Sequence, residues 1–86
     1  MLNYNNLPLH MQPSISRYIE HGITPGSFLL AVLENKLVES FAHADEDNRA
    51  SMFFWAEWLY NEAPAAAWGS PEKVKAWTEA RREERE

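Results

Sequence analysis

The chain of 86 residues contains no cysteine. No disulfide can staple it and no thiolate can hold zinc, so a dense core or self-association must stabilise so small a scaffold. The same absence suits a reducing compartment. Basic residues are also few: eight Lys and Arg against thirteen Asp and Glu give a formal net charge of −5. The one basic grouping, Arg81, Arg82 and Arg85, is interleaved with Glu79, Glu83, Glu84 and Glu86. It reads as a self-compensated helix end, which argues against duplex nucleic acid as a partner. Residues 1–6 lack the positive region and apolar stretch of a secretory signal, and no run approaches the roughly 20 apolar residues that span a membrane. The expectation is a cytoplasmic protein with no membrane partner.

Internal repeats, low-complexity tracts and the alternation of a half-buried strand are missing too. What is present is apolar: 45% of the residues, four of them tryptophan. This predicts one helical domain over 1–86, with a loose arm at 1–6 and a frayed charged tail at 79–86. The fold class is all-α, a small bundle of three to four helices with short loops. Leu9, Ile15, Tyr18 and Ile19 can share the face of a first helix that starts at Pro8 or at Pro13 and stops at Gly22. Thr24 and Pro25 read as the cap and first residue of a second helix, whose stripe of Phe28, Leu29, Val32, Leu33, Leu37, Val38 and Phe41 runs towards His43. Asp45, Glu46, Asp47 and Asn48 open a third helix that continues to about Asn61. Ser70 and Pro71 open a fourth, with Val74 and Trp77 on one face.

Catalytic patterns are scarce. His10, His21 and His43 form no close pair at helical spacing. His43 with Asp45 and Asp47 could in principle hold a metal, but capping alone explains those acids. No strand precedes a serine turn, so no nucleophile elbow exists. The reading is a non-enzymatic binding protein with no cofactor and no metal.

Two helix starts invite an anion, because free N–H groups and the positive dipole end attract phosphate or carboxylate. Thr24, Gly26 and Ser27 form one, and Ser70 belongs to the other, although Glu72 opposes an anion there. Trp68 lies in a loop, where it lids the core or stacks on a ligand; Tyr60 and Asn61 bring hydrogen-bonding groups near it. In the third helix Phe53, Phe54, Trp55 and Trp58 point in several directions, more than one neighbour can cover. They are therefore the expected interface of a homo-oligomer, with a dimer the commonest solution.

The strings Tyr18-Ile19-Glu20-His21-Gly22-Ile23, Pro25-Gly26-Ser27-Phe28-Leu29, Ala31-Val32-Leu33, Ala44-Asp45, Asn48, Leu59-Tyr60-Asn61-Glu62, Pro64 and Trp68-Gly69-Ser70-Pro71-Glu72 resemble a family of small uncharacterised phage- and prophage-encoded proteins. The resemblance covers about residues 7 to 78. It implies an accessory role in a host cytoplasm, such as neutralising host defence. Two functions follow as expectations. One is binding of a small anionic, nucleotide-like ligand, sequestering a defence signal. The other is a self-associating interaction module that binds and inhibits a host or phage protein.

Overall fold

The computed structural model describes residues 2–85. Met1 of the expected arm and Glu86 of the expected tail lie outside them, as does the side chain of Arg85. The described residues form six α-helices, with two short 3-10 turns and no strand among them. The all-helical class is as predicted, and the count is higher because two expected helices are each broken in two.

A 3-10 turn at Leu9–Met11 leads into α1, Gln12–His21. Pro13 sits in the first turn, where its missing N–H costs nothing, so it starts this helix and does not kink a longer one. Leu9 thereby falls outside the helix and is exposed, leaving Ile15, Tyr18 and Ile19 as the core face. Gly22 ends α1 in the left-handed region, φ 67°. The last helix, α6 (Pro71–Arg85), then supplies partners to carbonyls at that end. Trp77 Nε1 donates to the Tyr18 carbonyl at 3.1 Å and Arg81 Nε to the Ile19 carbonyl at 3.2 Å. The Arg81 guanidinium lies 3.9 Å above the Trp77 ring, which holds both donors in place.

Helix α2, Ser27–Leu33, begins later than Thr24 and Pro25 predict. Gly26 is the capping position, in extended backbone, and its carbonyl accepts the Leu30 amide at 2.9 Å. Thr24 and Pro25 precede the helix. The larger departure is at Asn35, whose φ of 65° breaks the predicted stripe. The Asn35 amide bonds to the Val32 carbonyl at 3.1 Å and the Lys36 amide to the Ala31 carbonyl at 2.9 Å, closing α2 with a left-handed C-terminal motif. Asn tolerates that conformation better than other side chains. The chain turns there, and α3, Leu37–His43, packs back on α2.

Asp45 caps α4, Glu46–Ala50, accepting the Asn48 amide at 2.8 Å. Ser51 separates α4 from α5, Met52–Asn61. Trp55, Trp58 and Leu59 turn one side of α5 into a core shared with Ile15, Tyr18, Leu29 and Leu33. Beyond a second 3-10 turn, the Gly69 amide donates to the Leu33 carbonyl at 2.8 Å, tying that loop to the end of α2. Ser70 and Pro71 open α6 as predicted, with Ser70 Oγ accepting the Lys73 amide at 3.2 Å. The charged tail is helical as far as Arg85 instead of fraying from Glu79.

The arm expected to be loose is held down. Trp58 Nε1 donates to the Asn3 carbonyl at 2.8 Å, Tyr4 stacks on Trp58 with centroids 5.6 Å apart, and Leu7 is buried. The core's polar atoms are all paired among the described residues. Tyr18 donates to the Ala67 carbonyl at 2.7 Å, and burial pushes its phenol well above the usual range. Trp55 Nε1 donates to Asn48 Oδ1 at 3.1 Å.

Candidate functional site

The residues expected to bind an anionic ligand are not brought into one pocket. Thr24 lines a shallow depression with Gly22, Thr78, Glu79 and Arg82. Gly26 and Ser27 line another with Met11, His43, Asp45 and Asn48. Asn61 lines a third with Asn3, Asn6, Phe54, Glu57, Glu62 and Trp58. Tyr60 projects into solvent, Trp68 is half-buried against the core, and Ser70 is engaged as the α6 cap. The reason is the length of α2. Gly26 and Ser27 stand at its start, whereas the Gly69–Leu33 bond fixes the Trp68 loop to its end. A seven-residue helix separates such points by about 10 Å.

The electrostatics also oppose an anion at Gly26. Asp45 faces the same depression, and its carboxyl is held below the usual carboxylate range. The bond from the Asn48 amide is the main cause, with the His10 imidazole and Arg49 assisting. His10 Nε2 lies 3.0 Å from Asp45 Oδ2, which joins the first 3-10 turn to the start of α4. Among the described residues, no group of three or more His, Asp or Glu side chains is placed to hold a metal ion.

The four residues expected to form an interface divide into two pairs. Trp55 and Trp58 are core, with both indole N–H groups bonded internally. Phe53 and Phe54 remain outside, their rings in edge contact at 5.7 Å. Helical spacing explains the division: Trp55, Trp58 and Leu59 share one side of α5, Phe53 is rotated away from it, and Phe54, one turn before Trp58, stands at its margin and lines the Asn61 depression.

Three further exposed apolar residues belong to α3, where the predicted stripe placed them in the core. Ser40 is buried there at 2% exposure, its hydroxyl donating to the Lys36 carbonyl. Leu37, Val38 and Phe41 are 66, 82 and 42% exposed. The helix is thus inside out, with its serine in the core and its apolar residues in water. Between α3 and α5 lies a recess of about 270 Å³. Buried Val32, Trp55 and Leu59 form its floor, and exposed Leu37, Phe41 and Phe53 stand around it. The sequence signal for this face was Asn35, a residue suited to left-handed backbone in the middle of a long stripe.

Comparison with family models, with curated proteins and with solved structures gave no match to this chain.

Proposed function

We propose that the chain is a protein-interaction module that docks through the apolar face of α3 and α5. The observation that carries this reading is the inversion of α3. A helix that serves only the core turns its apolar residues inward. Here Leu37, Val38 and Phe41 stand in water, and Leu37 and Phe41 share a recess with Phe53, which is 71% exposed. Single exposed apolar residues need no explanation, whereas a contiguous patch beside a recess is the mark of an interaction site. At roughly 1.5–3 kcal/mol for a whole apolar side chain, covering the exposed parts of Leu37, Val38, Phe41 and Phe53 would contribute about 4–8 kcal/mol to association.

The sequestration reading has no comparable support, because its residues are spread over several faces and a carboxylate stands at the anion position. Site-specific photo-crosslinking in the cytoplasm of expressing cells tests the docking reading. A photoreactive phenylalanine analogue in place of Val38 should capture a protein. The same group in place of Lys75, exposed on α6, should not. No adduct from position 38, or equal yields from both positions, would overturn it.

A further inference from the structure

We infer that the occupant of the α3–α5 face is a second copy of this chain, joined to the first by a two-fold axis. The inference rests on the docking reading and names its partner. Two features of the face support it: self-complementarity and area.

A two-fold interface brings the same patch against itself, so the patch must carry both a recess and the group that fills it. This face does. Leu37 and Phe53 project beside a recess of about 270 Å³. An apolar cavity of roughly 150 Å³ accommodates a benzene molecule, so there is room for a phenyl ring from the other copy. The charges permit the approach. Lys36 is the one charged residue lining the recess among the described residues, and it is paired with Glu34 at 3.2 Å. The net charge of −5 therefore brings no carboxylate into the recess.

The area also matches. Whole aromatic side chains bury about 150–250 Å², so the exposed fractions of Phe41 and Phe53 amount to about 220 Å². Leu37 and Val38 bring the apolar patch to about 350 Å² per chain, using roughly 25 cal/mol/Å² to convert their transfer energies to area. Two copies then cover about 700 Å² of apolar surface. Homodimer interfaces are roughly 65% apolar, which scales this to about 1,100 Å² in total, above the roughly 1,000 Å² that a specific interface must clear.

Sedimentation velocity of the purified full chain across micromolar concentrations is the test. The expected result is a species of twice 10.0 kDa. Val38→Asp and Phe53→Asp should each weaken pairing by about a hundredfold or more, since each places a carboxylate in an apolar contact. Their helical circular dichroism should be unchanged, because both positions are exposed in the single chain. Lys75→Glu should remain paired. A wild-type chain that sediments at 10.0 kDa throughout overturns the inference. So does a dimer that survives both substitutions with the fold intact. If the chain is monomeric while position 38 still crosslinks to another protein in cells, the second-copy inference fails and the docking reading stands. If neither is seen, both fail.

Discussion

Gly22→Ala should be among the most destabilising single-methyl changes in this chain, and its cost can be built from backbone strain, a steric clash and two loosened hydrogen bonds. Gly22 holds φ at 67°, where an L side chain costs about 1–2 kcal/mol. An added Cβ would fall against the Arg81 Cβ, well inside contact distance, with the Thr78 carbonyl 3.1 Å away. The Arg81 Cβ is fixed to the α6 backbone, so no rotamer change relieves the clash. Helix α6 must move, and that loosens the bonds from Trp77 to Tyr18 and from Arg81 to Ile19. Net hydrogen-bond contributions are about 0.5–1.5 kcal/mol, more for a charged donor. The whole substitution should therefore cost about 3–5 kcal/mol. At roughly 0.05–0.15 kcal/mol per residue, a chain of this length has about 4–13 kcal/mol in all. Urea unfolding followed by tryptophan fluorescence would read the change as a lower midpoint. Gly26→Ala is the control, because nothing lies within 4 Å of an added Cβ there. It should move stability by less than about 1 kcal/mol, the lost cap offsetting the chain-entropy gain. A Gly22→Ala loss no larger than that of the control would refute the proposed clasp between α1 and α6.

Leu33→Ala empties a fully buried position and should cost about 2–5 kcal/mol in the same assay. Asn35→Gly should leave the α2–α3 turn intact, whereas Asn35→Val should cost about 1–2 kcal/mol by forcing a β-branched residue into left-handed backbone; thermal melts of the pair would separate them. Asp45 predicts an acid-side effect. Its folded pKa is depressed, chiefly by the Asn48 amide, so its contribution is present above the usual value of 3.8 and is lost as pH falls through the lower folded value. Melting temperature plotted against pH should therefore fall less steeply below about pH 4 in Asp45→Asn than in the parent chain.

Helix stop and start chemistry was legible wherever one residue type decides it. Gly22 as a left-handed stop, Asp45 as a side-chain cap and Ser70 before Pro71 all stand where spacing placed them, because each satisfies a specific orphan backbone group nearby. The start of α2 was misplaced. Thr24 followed by Pro25 has the pattern of a cap, but Gly26 in extended backbone takes the position and no side chain closes it. The candidate anion site failed to assemble for a reason that spacing cannot express. Each of its parts has suitable chemistry by itself, whereas the Gly69–Leu33 bond decides which end of α2 the Trp68 loop reaches.

The break at Asn35 matters more. A run of apolar residues at helical spacing implies one buried face only if the helix is unbroken. Once the chain turns at Asn35, Leu29 and Leu33 keep the core. Leu37, Val38 and Phe41 then exceed what the core can hold, and Ser40 is turned inward in their place. The same arithmetic applies on α5, where Trp55 and Trp58 fill the core and leave Phe53 and Phe54 outside. Both helices thus carry more apolar surface than one copy can bury, and Leu37, Phe41 and Phe53 of that surplus stand around one recess. If that placement reflects association, the variants should divide by side. Leu33→Ala should lower stability at any protein concentration. Val38→Asp should lower it only at concentrations where the parent chain is paired, because binding stabilises the folded state by mass action. Thermal melts across a hundredfold range of concentration would show it. A melting temperature of the parent chain independent of concentration would mean that the surplus has no second copy to cover it.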